Sequence, residues 1–170
     1  MNINKFTQKS MEAVQNCEKL AYEFGNQEID QEHLLKSLID QEDGLILKLI
    51  EKMEINTAHF SNRVTEDLNK KVKVQGGDLR ISNDLNKVLI TAEDEAKAMG
   101  DEYVSVEHLF LSLLKYPNKA MKELFKEYGI TRDRFLTALS TVRGNQRVTS
   151  DNPEATYDTL QKYGTDLVEK

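Results

Sequence analysis

The chain has 170 residues, 39% apolar and 31% charged, with 23 basic against 29 acidic side chains and a net charge of −6. That length suits one domain, or two small ones, and can bury a core without disulfide or metal staples. A single cysteine excludes an intrachain disulfide, three scattered histidines are poor material for a structural zinc site, and no apolar run approaches the ~18 residues of a membrane span. The acidic balance also argues against a general nucleic-acid binder.

The chain contains itself twice. Residues 7–64 align without a gap on residues 82–139 at a constant offset of 75, with 11 of 58 positions identical. Apolar positions coincide 18 times between the copies, where about 11 coincidences are expected by chance, so one pattern of buried positions has been duplicated. In chain order, Ala13, Val14, Cys17, Ala21 and Phe24 give a first helix, matched by Val88, Leu89, Ala92, Ala96 and Met99. Thr7 and Ser82 stand where each of these helices takes its N-cap, and Gly25 and Gly100 stand where a left-handed residue closes it. Asp30 or Ser105 caps a second helix carrying Leu34, Leu35 and Leu38, or Leu109, Phe110 and Leu113. A third buries Ile46, Leu49 and Ile50, or Met121, Leu124 and Phe125, and a fourth, capped by Asn56 or Thr131, buries Phe60 and Val64 or Phe135 and Leu139. The expected fold is all-α, eight helices in two pseudo-symmetric four-helix repeats spanning residues 1–142, and the two units are expected to pack together for stability.

The remaining segments differ in kind. Residues 70–81 carry Lys70, Lys71, Lys73 and Arg80 against Asp78 around Gly76 and Gly77, and read as a flexible basic connector. Residues 143–151 hold almost no apolar side chain and read as an exposed linker, with Arg143 and Arg147 as solvated charges. Asn152 and Pro153 can restart a helix with Tyr157, Leu160, Tyr163 and Leu167 on one side. The chain stops inside that pattern, so it reads as a piece of a longer protein.

Little here carries chemistry. None of the eight glycines belongs to a phosphate-binding P-loop. The duplicated pairs Glu32-His33 and Glu107-His108 lack the i, i+4 spacing of chelating histidines, and no nucleophile accompanies them. Two readings stand for Glu32 and Glu107. A carboxylate in the first turn meets the positive end of the helix dipole; alternatively, both face a groove between repeats and hold cationic or N–H groups of a polypeptide. Thr7 is at least a helix cap, His59 reads as a solvated surface group, and Cys17, aligned with Ala92, as a small core residue.

The motif Gly-x-x-x-Ile/Val-Asp/Ser-x-Glu-His-Leu-Leu/Phe-x-Ser-Leu resembles the duplicated N-terminal domain of the Clp family of AAA+ unfoldases. Phe6-Thr7, residues 25–29, 142–150 and 163–167 extend the likeness to its disaggregase branch. The resemblance implies a mobile, non-catalytic, client-engaging module of a cytoplasmic, ATP-dependent stress-response chaperone that refolds aggregated protein. ATP and magnesium would belong to a hexameric parent, with a DnaK-type co-chaperone system, no cofactor in this segment, and a monomeric fragment. Family residues associated with client binding match Thr7, Asp101 and Glu107 here, at a polar rim around an apolar groove, and Glu32 is the first-repeat counterpart of Glu107. Relatives of the ClpC group use the Glu-His pairs near phosphoarginine sites and dock adaptors. Glu32 and Glu107 match those pairs, but no basic phosphate partner is evident beside them.

Overall fold

The computed structural model describes residues 3–149, except 75 and 145. The helix after Asn152 expected from the sequence lies outside the described residues. After a short 3-10 turn at Ile3–Lys5, Thr7 starts helix α1 (Gln8–Glu23), its hydroxyl accepting a hydrogen bond from the Ser10 N–H at 3.2 Å. Its counterpart Ser82 starts α5 (Asn83–Ala98) and accepts from the Leu85 N–H at 3.0 Å. Both helices close alike. Gly25 and Gly100 take φ near 69° and 73°, and the following N–H groups of Asn26 and Asp101 reach back to the carbonyls of Ala21 and Ala96.

The other helices follow in matched order. Repeat one continues with α2 (Gln31–Asp40), α3 (Leu45–Lys52) and α4 (Thr57–Asn69), and repeat two with α6 (Val106–Lys115), α7 (Lys119–Tyr128) and α8 (Arg132–Arg143). Asp30, Asn56, Ser105 and Thr131 occupy the N-cap positions read from the sequence. Gly129, at φ 64°, closes α7 in the left-handed region.

One serine per repeat clamps the helix pair. Ser37 donates from α2 to the Ala13 carbonyl of α1 at 2.7 Å, and Ser112 donates from α6 to the Val88 carbonyl of α5 at 2.8 Å. These partners are related by the 75-residue offset, which explains why this serine is among the identical positions.

Two short parallel pairings stitch the repeats to each other. Strand β1 (Glu28–Ile29) pairs with β2 (Arg80–Ile81), and Phe6 pairs with Val104. Shifting Ile29 and Ile81 by the repeat offset gives Val104 and Phe6, so the loop before each second helix pairs with the lead-in to the other repeat. The connector is therefore tied down, contrary to the flexible segment expected. Val74 donates to the Gly25 carbonyl at 2.9 Å, and the Asn26 side chain donates to Val72 O at 3.1 Å.

The two units share one core. Leu34, Leu49, Phe60, Leu109, Phe110 and Phe135 are fully buried in a single cluster drawn from both repeats. Phe110 stacks on Phe135 at 4.5 Å between centroids, and Phe60 meets Tyr128 edge-on at 5.0 Å across the repeat boundary. Units of about 58 residues are close to the size at which a lone core becomes marginal, and the shared core removes that limit.

Because the two serine clamps share no partner, their costs are expected to add in the double variant, with Ser37→Ala at about 1 kcal/mol and Ser112→Ala somewhat more, since Ser112 also meets the Thr91 hydroxyl at 2.7 Å. Urea midpoints at constant m-value measure this; a cost confined to one serine would contradict a clamp in each repeat.

Candidate functional site

The duplicated Glu-His pairs open α2 and α6, and the histidine in each acts as a helix cap. Asp30 N–H donates to His33 Nδ1 at 2.9 Å, and Ser105 N–H donates to His108 Nδ1 at 2.8 Å. A neutral ring that accepts at Nδ1 carries its proton on Nε2, which then donates outward. His33 gives it to the Asn26 side-chain oxygen at 2.9 Å, and His108 gives it to the Asp101 carboxylate at 2.7 Å. Both rings are fully buried and committed to these bonds.

The neighbouring glutamates each hold a cation from the end of their own repeat. Glu32 accepts from Lys71 Nζ at 2.9 Å and from the Asn118 amide at 2.8 Å, and Lys71 also reaches Asp30 at 3.1 Å. Asp30 in turn accepts from the Ser82 hydroxyl at 2.8 Å, and Gln31 donates to the carbonyls of Asp84 and Tyr116. This first site therefore bridges the repeats. In the second, Arg143 donates to Glu107 at 3.3 Å and to Asp101, Ser105 donates to Glu107, and the Val148 N–H donates to Asp101 at 2.9 Å. The partners just named all lie in repeat two or the segment after it.

Electrostatics follow from these partners. Burial alone would raise the Asp101 carboxyl, but hydrogen bonds from His108, Arg143 and the Val148 N–H outweigh it and hold the group below the usual carboxylate range. Asp30 behaves alike: burial opposes, while the Gln31 N–H, Lys71 and Ser82 pull it down. Burial would lower the Lys71 ammonium, yet Glu32 and then Asp30 raise it overall. Burial, with Lys71 second, pulls His33 down to about 4.

The four residues singled out from the sequence are buried in this structure: Thr7 and Glu107 are 0% exposed, Glu32 4% and Asp101 8%, and all four have internal partners. Thr7 donates its hydroxyl to Ser10 and its N–H to Val104 O, and so fixes the Phe6–Val104 pairing. Arg143 is 3% exposed, which overturns its reading as a solvated linker charge. Residues 146–149 are likewise not a free linker, since Glu102 N–H donates to Val148 O at 2.8 Å and the Val148 side chain is buried in the core. Lys71 and Arg143 are the basic partners of the two glutamates, and each is held by carboxylates of this chain. His59 is exposed as expected but is hydrogen-bonded to Tyr128 across the repeats.

A signal for Arg143 was present, since Phe135, Leu139, Val142 and Arg143 continue the buried stripe of α8 at i, i+4, i+7 and i+8. Val148 offered only its place as the lone aliphatic residue in a polar stretch. Cys17 is a core residue, its thiol pushed up to about 12 by burial, and is inert. Among the described residues no group of three or more His, Cys, Asp or Glu side chains is placed to hold a metal, and no helix is long and apolar enough to cross a membrane.

Of the four, Asp101 also borders a surface cavity. This cavity, of about 560 Å³, lies between the lead-in to repeat one and the loop of repeat two, and is lined by Lys5, Ala96, Lys97, Asp101, Tyr103 and Val104, among others. A second inter-repeat cavity, of about 500 Å³, sits between α3 and α8 around Met53, Arg134 and Ala138 and touches none of the four.

An eight-helix duplication with reciprocal parallel stitching and buried Glu-His caps defines a Clp-type repeat domain, and the chain belongs to the Clp repeat (R) N-terminal domain family, which matches residues 5–128. It is 44% identical to the chaperone protein ClpB of Nitratidesulfovibrio vulgaris, over all of this chain and 20% of that protein. The ClpB of Bacillus anthracis is 40% identical over 99% of this chain and 20% of its own length. The chain thus spans about a fifth of these relatives. Among solved structures, the Hsp104 N-terminal domain of Candida albicans superposes with a TM-score of 0.77 at 26% identity, covering 88% of this chain and 99% of that one. The N-domain of ClpV from Vibrio cholerae, at 18% identity and a TM-score of 0.69 over 89% of each chain, shares the fold.

Removing one partner of a buried ion pair strands the other, at a cost of about 3–5 kcal/mol. Asp101→Ala is therefore expected to cost about that much, whereas Asn26→Ala at the matched position loses neutral hydrogen bonds for about 1–2 kcal/mol. Chemical denaturation separates the two; equal losses would show that the Arg143 network carries no special weight.

The His33 ring gives a pH dependence of defined sign. Its folded value lies below the 6.5 of the unfolded chain, so between pH 6.5 and about 4 the unfolded state binds the extra proton and stability falls. The loss at this site should reach about 3 kcal/mol and level off at lower pH, where Asp30 and Asp101 begin to contribute their own. His33→Gln should flatten the profile when urea stability is compared at pH 7 and about pH 4.5; an unchanged slope would refute the assignment.

Proposed function

We propose that this domain is the client-engaging, non-catalytic N-terminal module of a cytoplasmic ATP-dependent protein disaggregase, and that it weakly captures extended segments of unfolded or aggregated polypeptides. The observation that carries this reading is the seam cavity bordered by Asp101, whose carboxylate is fully buried in the internal network while the rest of the residue lies at the cavity wall. The similarity to ClpB chaperones along the whole chain supports the choice of parent.

The cavity suits transient capture. It is broad and open, with the half-buried Tyr103 offering apolar surface beside the exposed Lys5 and Lys97. Such a surface gives modest affinity, and its charges speed and orient encounter more than they tighten it. Weak capture fits a module that must hand its client on. Thr7, Glu107 and Glu32 act here as positioning residues: Thr7 holds the lead-in against Val104, Glu107 anchors Arg143, and Glu32 fixes the repeats through Lys71 and Asn118. ATP and magnesium would act in a hexameric ring formed by the rest of the parent, in concert with a DnaK-type co-chaperone. The ClpC-type alternative, phosphoarginine recognition or adaptor docking at the Glu-His pairs, is less well supported, because both glutamates already hold a cation of this chain.

An NMR titration of the labelled chain with a permanently unfolded polypeptide tests the reading. Shifts should gather at Lys5, Lys97 and residues 101–104, and Tyr103→Ala should weaken binding at least threefold with helicity intact. Shifts gathered instead around Met53 and Ala138, or none at millimolar client, would reject this cavity as the capture site.

A further inference from the structure

We infer that residues 146–149 are an internal occupant of a backbone-reading slot at Asp101 and Glu102, and that an extended client segment bearing an aliphatic side chain binds by taking their place. The inference rests on the client-engaging reading above and adds to it the ligand class and its gate.

The slot is defined by what now fills it. The Val148 N–H donates to Asp101 Oδ1 at 2.9 Å, its carbonyl accepts from the Glu102 N–H at 2.8 Å, and its side chain is fully buried. Two of these three contacts are to main-chain groups that every residue except proline provides, so the slot recognises an extended chain; only the apolar seat selects, for a side chain of valine size. The same Asp101 and Glu102 line the seam cavity, which gives the rest of an extended segment somewhere to lie beyond the slot.

The present occupant is a short strap at the exit of α8. It joins α8 through Gly144, at φ 59° with open space around its α-carbon, and is steadied by Arg143 Nε donating to Gln146 O at 2.9 Å. Arg147 and Thr149 on either side of Val148 expose their side chains, Arg147 lying against Gly100 and donating to Gln146 O, so Val148 is the one buried side chain of residues 146–149.

Repeat one shows what the arrangement looks like without a seat. The equivalent of Val148 at the repeat offset is Lys73, which is exposed and sends its ammonium to the Phe24 carbonyl at 2.8 Å, and its neighbour Val72 is 79% exposed. The valine seat is thus particular to repeat two, where Asp101 replaces Asn26. A tethered strap competes at high effective concentration, so the apparent client affinity is scaled by the fraction of molecules with the strap released.

The experiment uses reduced, carboxymethylated α-lactalbumin as the unfolded probe with the full chain. Fluorescence anisotropy should show at least threefold tighter binding to Val148→Ser than to the native chain, and Asp101→Asn added to Val148→Ser should remove the gain. In the native chain, saturating probe should speed hydrogen exchange at the Val148 amide while the Glu102 amide stays protected, because one partner leaves and another arrives. Equal or weaker binding by Val148→Ser together with a static Val148 amide would overturn the exchange while leaving client capture standing. No binding by either chain would overturn the capture reading and this one with it.

Discussion

Everything in this domain hangs on two short parallel pairings, Ile29 with Ile81 and Phe6 with Val104. A two-residue strand pair has almost no stability of its own. It persists here because each partner leads directly into a capped helix whose apolar face is buried, so the pairing and the shared core are formed together. The reciprocity matters more than the number of hydrogen bonds. Each repeat supplies one loop and one lead-in, and the arrangement closes on itself, which fixes the relative placement of the two units and positions Thr7 and Ser82 beside the Glu-His sites of the partner repeat.

Within that frame the two sites have diverged by a few atoms, with large consequences. Asn26 opposite His33 becomes Asp101 opposite His108, and the added charge is met by the buried guanidinium of Arg143. Asp30 becomes Ser105, which removes a carboxylate from the repeat-two site and leaves Glu107 as the second acceptor for Arg143. In repeat one, the carboxylates of Asp30 and Glu32 instead reach across to Ser82 and Asn118. One site therefore locks the repeats together, and the other ties the exit of α8 to the loop that borders the seam cavity.

The helices and most of their caps were legible because they are local. Thr7, Ser82, Asp30, Ser105 and the paired glycines act on groups within a turn of themselves, and a duplicated pattern doubles the signal for each. The stitching was not legible, since Phe6 and Val104 are an ordinary aromatic and an ordinary β-branched residue whose pairing exists only once the helices are placed. The histidine caps escaped notice because the familiar reciprocal cap uses Glu or Gln at the third helical position, and an imidazole there reads first as chemistry. The segment after α8 was misread for a compositional reason: seven polar residues conceal that Val148 is buried and that Arg143 has two carboxylates waiting.

Asp101 is where these threads meet. It is touched by His108 from α6, by Arg143 from α8 and by the Val148 amide from the exit segment, and it also forms part of the cavity wall. A carboxylate with so many donors has no freedom to move alone, because losing any one of them leaves a buried charge under-satisfied. A displacement at the exit segment is therefore felt first at the cavity wall, and a displacement at the wall is felt at the exit. Repeat one has no such junction, since Asn26 carries no charge and its strap contact is a single amide bond to Val72 O. The duplication supplies one half that sets the frame and a second half in which cavity, buried charge and the exit of α8 meet at one residue.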